Sequence, residues 1–219
     1  MKTAIACLLT LAVSAPLAAQ TRGAASIDPS DPAVVFRPFF VVSAERFAAQ
    51  ETFKAAFGGA IEPMFGGGLE VVLRNGIYVD AAVSRFKKTG QRAFFANGQT
   101  FPLGIPLTAT LIPIEVTGGY RFNLSSWPRL VPYAGAGVGS YGYEETSEFS
   151  DPSENVSTRH LGYLAVGGID VRVHRLVGIA GDVQYTRVTG ILGSGGVSKA
   201  AGEDDLGGVA VRLKVTIGR

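Results

Sequence analysis

Between Glu70 and Phe86 apolar and polar residues alternate with a period of two, interrupted once by Asn75-Gly76. Leu69, Val71, Leu73, Ile77, Val79, Ala81 and Val83 fall on one face, and Glu70, Arg74, Tyr78, Asp80 and Ser84 on the other. That pattern predicts a β-hairpin with one apolar and one polar face, turned by the Asn-Gly pair. The alternation also predicts a strand over Val35 to Phe47, one ending at Phe122, and a glycine-rich one in VPYAGAGVGSYGYEE whose facing is open. Three more follow around Leu161 to Val173, Val177 to Thr186 and Val209 to Ile217. Only Ala44 to Phe57 leaves room for a short loop helix.

The connections decide which face is inside. Asn75-Gly76, NLSSWPRL and His174 to Leu176 make short turns, whereas long segments lie near Ala48 to Pro63, Gly90 to Ile105, Thr146 to Ser157 and Gly190 to Asp205. Short and long alternate strictly, which is the plan of a membrane barrel and has no rationale in a soluble sandwich. Strand lengths fit the ~9–11 residues of a tilted membrane strand better than the ~5–6 of a globular one. The expected fold is all-β, an eight-stranded antiparallel up-and-down transmembrane barrel with four long outer loops and three short periplasmic turns. Ten strands are the alternative, should the first or second long loop pair into the wall. Tyr120, Phe122, Trp127 and Tyr133 are candidates for an interfacial aromatic girdle.

On this reading the apolar face meets hydrocarbon and the charges point inward. The expected interior set is Arg37, Glu45, Glu70, Arg74, Asp80, Glu115, Arg121, Asp170, Arg172, Asp182, Arg212 and Lys214. A lumen of eight strands has room for side chains and little else, and charges inside it must pair to offset desolvation. An ion-paired plug near charge balance follows, with no open diffusion pore.

Composition agrees: 47% of the 219 residues are apolar, 17% are charged and 29 are glycine. A net charge of +2 without a basic run gives no reason to expect nucleic acid. The N-terminal MKTAIACLLTLAVSAPLAAQ has the basic start, apolar middle and small-residue exit of a secretory signal, with cleavage expected after Ala19. Residues 20–34 are then a periplasmic segment and 35–219 the barrel. The single cysteine, Cys7, falls within the signal, so no disulfide or thiol metal site is expected in the mature chain.

The stretches PYAGAGVGSYGY (Pro132 to Tyr143) and GYRF (Gly119 to Phe122), with a Trp-bearing turn between them, resemble the small bacterial outer-membrane β-barrel proteins of the OmpA, OmpX and opacity type. The resemblance runs from about Val34 to the C-terminus. It implies an outer-membrane address and a role as membrane scaffold, adhesin or surface-interaction protein, or, in a few members, lipid-modifying enzyme. Two features depart from the family. The chain ends VTIGR, where an aromatic residue is usual, and no peptidoglycan-binding domain follows the last strand.

Other chemistry is thin. Gly137, Gly139 and Gly142 spell a dinucleotide-type G-x-G-x-x-G, but within a β alternation they are expected to serve tight strand packing. His160 could meet Ser140, Glu144 or Ser157 near the outer rim, though no local pattern fixes a triad, and His174 falls in an inner turn. Glu144, Glu145, Glu148, Asp151 and Glu154 could gather Ca²⁺, yet their spacing fits no cation loop and a solvated acidic loop is expected. Lys87, Lys88 and Arg92 with Phe94 and Phe95 suit contact with lipid phosphates or a partner, on a loop that Asn97-Gly98 could turn into a projecting hairpin. The expectation is a non-enzymatic, monomeric envelope protein without cofactor or metal. Its expected partners are outer-membrane lipids, lipopolysaccharide and a surface partner met through the outer loops. The alternatives are a narrow channel for small apolar molecules or a lipid-modifying enzyme.

Overall fold

A computed structural model of the chain describes residues 32–96, 99–147, 155–193 and 196–218. The predicted signal peptide and almost all of the segment after it lie outside the described residues. Eight strands follow one another: β1 (Val34–Phe47), β2 (Ile61–Leu73), β3 (Ile77–Ala96), β4 (Gln99–Arg121), β5 (Leu130–Thr146), β6 (Val156–His174), β7 (Val177–Arg187) and β8 (Gly208–Ile217). Each pairs antiparallel with the next, and β8 returns to β1 to close the barrel. The second long loop adds no strand to the wall. It is the continuation of β3 and β4, paired out to Ala96 and Gln99. At 20 and 23 residues these strands exceed what a membrane needs, so their outer parts form a projecting ribbon.

The short turns gather at one end of the barrel, called inner here, and the long connections at the other. At the β2–β3 turn, Asn75 Oδ1 accepts the Ile77 N–H at 3.1 Å and the Gly76 N–H reaches the Leu73 carbonyl at 2.9 Å. Gly76 has φ of 89°, and a Cβ there would stand 2.7 Å from the Arg121 carbonyl, so both backbone and space demand glycine.

The facing follows the alternation. Phe36, Phe40, Leu69, Val79, Ile114, Ile169, Val183 and Val211 are exposed on the outside of the wall, while Arg37, Glu70, Asp80, Glu115, Arg121, Asp170, Asp182 and Lys214 are buried within it. Water would dissolve such an outside poorly; hydrocarbon dissolves it well, and a closed sheet leaves no unpaired edge in lipid. The glycine-rich β5 turns Tyr133, Tyr141 and Tyr143 inward and Val138 outward. Tyr133 is therefore no girdle residue, since its phase along β5 points the ring into the lumen. Tyr120, Phe122 and Trp127 are exposed at the inner end, the first two edge-to-face at 5.0 Å.

Two helices occupy the outer connections: α1 (Gln50–Phe57) after β1 and α2 (Gly196–Ala201) before β8. α1 lies against β3 so closely that a Cβ on Gly90 would stand 2.1 Å from the Ala56 carbonyl. Ala49 gives α1 no side-chain cap. A residue from the last outer loop does so instead: Glu203 accepts the backbone N–H groups of Glu51 and Thr52, each at 2.9 Å, and the Thr52 hydroxyl at 2.7 Å.

Candidate functional site: a lumen filled in two layers

The inner layer is a ring of alternating charge. Arg37 of β1 donates to Glu70 of β2 at 2.9 Å, to Asp170 of β6 at 2.7 Å and to Thr216 of β8 at 2.6 Å. Arg121 of β4 donates to the same Glu70 at 3.1 and 3.2 Å and to the same Asp170. Two guanidiniums thus share two carboxylates. The planar fork of arginine allows this, because one side chain can serve two acceptors at fixed angles. Above the ring, Lys214 donates to Asp80 at 2.7 Å and lies 4.6 Å from the centre of the Phe39 ring. Arg212 bonds Asp182 and Gln184, and the Tyr133 hydroxyl donates to Asp182.

Midway along the lumen, Glu115 accepts from the Tyr141 hydroxyl at 2.7 Å and the Gln184 amide at 3.0 Å. It lines a cavity of about 30 Å³ together with Ser43, Glu45 and Arg212, room for ~one or two water molecules. The outer layer is apolar. Phe47 and Phe53 stack with centroids 4.0 Å apart, and Phe86 and Phe57 pack around them. Met64, Leu111, Val188 and Leu206 complete the layer from four other parts of the wall and loops. α1 therefore carries Phe53 into the outer mouth, and Glu203 anchors the helix that carries it.

Ten of the twelve expected interior residues line the lumen. Arg74 does not: the strand ends at Leu73, and Arg74 is exposed in the turn beyond it. Arg172 is exposed too: it keeps the parity of Asp170, paired with Gly178, but stands at the open inner end of β6. Of these ten, six are acids and four are bases: Arg37, Arg121, Arg212 and Lys214 each have an ion-pair partner, and Glu45 and Glu115 have none among the described residues.

Of the expected contact residues, Lys87 is exposed on the outside of the wall, but Lys88 faces inward and bonds Glu62 at 2.6 Å. Arg92 is half-buried, and the side chains of Phe94 and Phe95 lie outside the described residues. His160 pairs with Tyr141 across β5 and β6 and so shares its inward face, whereas Ser140 and Glu144 alternate with it outward. The wall separates the base from these candidate partners. Glu145 accepts from the Tyr143 hydroxyl, and Glu148, Asp151 and Glu154 lie outside the described residues. Gly137, Gly139 and Gly142 are all inside β5, where Gly139 makes room for the Tyr141 ring, 2.8 Å from a Cβ placed there.

A closed eight-stranded wall, greasy outside and charged inside, defines a small transmembrane β-barrel, and the fold is that of the small bacterial outer-membrane barrels. No protein-family model and no curated protein matches the chain. Among solved structures it is similar to a major outer membrane protein from Thermus thermophilus (9% identity, 84% of this chain and 99% of that one, TM-score 0.51). It also aligns with Neisserial surface protein A (12%, 85% and 96%, 0.49) and with the outer membrane protein OprG from Pseudomonas aeruginosa (13%, 84% and 92%, 0.47). At these identities the likeness concerns the fold alone.

Proposed function

We propose that this protein resides in the bacterial outer membrane as a non-enzymatic, non-conducting barrel. On this reading its wall strengthens the envelope and its outer loops meet surface partners. The observation that carries the reading is the double filling of the lumen: a shared Arg37–Glu70–Arg121–Asp170 ring below and the Phe47–Phe53–Phe86 stack above. A solute would have to separate buried ion pairs and then displace a packed helix. The projecting β3–β4 ribbon, with Phe101 and Leu103 exposed, offers a surface for an extracellular partner. The separation of His160 from Ser140 and Glu144 supports the non-enzymatic reading.

The test is conductance of the purified, heat-modifiable barrel in planar bilayers, with liposome swelling alongside. Neither channel steps nor sugar-dependent swelling are expected. Stable unitary steps from the unmodified chain would overturn the closed-lumen reading.

A further inference from the structure

We infer that the outside of the wall carries a basic collar that binds the phosphate groups of the surrounding outer-leaflet lipid. It is formed by Arg46, Arg85, Lys87, Arg159 and Arg187. All five are exposed. Their pairing fixes the face: Arg46 lies opposite Ile61 and Val209, Arg85 opposite Phe65, and Arg187 opposite Tyr163, each an exposed outward residue. Their height is fixed by the strands. Arg46 on β1 and Lys87 on β3 stand about ten residues beyond the inner-end residues Phe36 and Ile77, the length of one membrane crossing. At the usual rise and tilt that is roughly 25 Å, the height of a barrel's apolar band.

Below the collar, every outward position on the eight strands among the described residues is apolar or uncharged. The cations begin where the hydrocarbon would end. Four of the eight strands contribute, so the charge surrounds the barrel rather than forming one patch. Arg85 and Lys87 have no hydrogen bond or ion pair among the described residues. Among the described residues Arg46 and Arg159 are held only by Gln50 at 3.1 Å and Ser140 at 3.3 Å, and Arg187 approaches Asp205 at 3.8 Å. Glu144, one step further out on the same face, is the acid nearest this level on β5. Arginine forks next to an apolar wall match a lipid whose phosphates sit at the edge of its acyl chains, and a free anion would gain nothing from that wall.

The inference rests on the outer-membrane reading above, and the experiment separates the two. The full-length barrel is reconstituted with phosphatidylcholine containing either bisphosphorylated lipid A or the same lipid stripped of phosphate, and retained lipid is counted by native mass spectrometry. Preferential retention of the phosphorylated lipid is expected. The triple variant Arg85→Gln, Lys87→Gln, Arg159→Gln should lower it at least roughly tenfold, given roughly fivefold per surface cation. Arg74→Gln, Arg129→Gln, Arg175→Gln, which removes as many exposed cations from the inner turns, should leave it unchanged. Equal retention of both lipids, equal loss in both triple variants, or displacement by millimolar inorganic phosphate would each overturn the collar. Should the triple variant lose its heat-modifiable gel shift, Arg85→Gln, Lys87→Gln replaces it, since neither side chain has a bond to lose. A wild-type chain that fails to enter vesicles sinks the outer-membrane reading; an inserted barrel indifferent to phosphate sinks the collar alone.

Discussion

Asp170→Asn tests the inner ring most directly. Asp170 has a fully buried side chain and accepts from both Arg37 and Arg121, so neutralising it leaves two guanidiniums facing the single carboxylate of Glu70. Removing one partner of a buried ion pair costs about 3–5 kcal/mol, most of it from the stranded charge and not from the lost bond. Asparagine keeps the volume and one acceptor oxygen, so packing changes little. Urea unfolding of the barrel in lipid vesicles, followed by loss of the compact gel band, should show a loss in that range. Arg121→Gln added to Asp170→Asn restores one-to-one charge between Arg37 and Glu70, and the double variant should recover about 0.5–3 kcal/mol of the loss. Arg74→Gln, in the exposed turn, should change stability by no more than about 0.5 kcal/mol. A loss below about 1 kcal/mol for Asp170→Asn, typical of a solvated pair, would refute the claim that this ring is dry and shared.

The other predictions concern the cap and the wall. Phe53→Ala removes the ring stacked on Phe47 and should cost about 3–5 kcal/mol locally, seen as faster tryptic cleavage at Lys54 with the barrel band intact; unchanged cleavage would count against a packed cap. Glu203→Ala removes the acceptor of three bonds to α1 and should cost about 0.5–2 kcal/mol, with amide exchange rising at Glu51 and Thr52 more than in β1. Spin labels at Val71 and Val211 should report acyl chains, with oxygen relaxing them more than a water-soluble nickel chelate; the reverse order would remove the membrane reading altogether.

The wall was legible because alternation and loop length are local properties. What sequence reading misplaced has physical causes. Arg74 continues the parity of Glu70, but parity loses its meaning once the Asn75-Gly76 turn begins, and Arg172 keeps its parity yet stands exposed at the inner end of β6. Tyr133 and its glycine-rich strand have too few large side chains to declare a face, so the lumen-facing tyrosines went unread. The apolar outer layer was missed for a different reason. Phe47 shares the parity of Arg37, and Phe86 that of Asp80, so the signal was present along β1 and β3. A search for inward charge passes over inward aromatics. The helix α1 falls within the Ala44 to Phe57 stretch left open for one, but its tie to Glu203 was beyond reach, because about 150 residues separate partners that no periodicity links.

The two layers differ in chemistry because they are built from different parts of the chain. The ring draws its groups from β1, β2, β4 and β6, so its ion pairs tie strands that the backbone ladder does not pair, such as β1 with β6 and β2 with β4. Such cross-ties need side chains held at fixed heights, which only wall strands provide. The cap depends on a loop helix, and its non-directional aromatic packing demands less exact placement than paired charges would. The same division makes the layers unequal in strength. Release of α1 requires one carboxylate to let go and a few rings to separate, whereas opening the ring strands buried charge in a narrow lumen. Motion at the outer mouth is therefore compatible with a barrel that stays shut, which is what the proposed action through its loops requires.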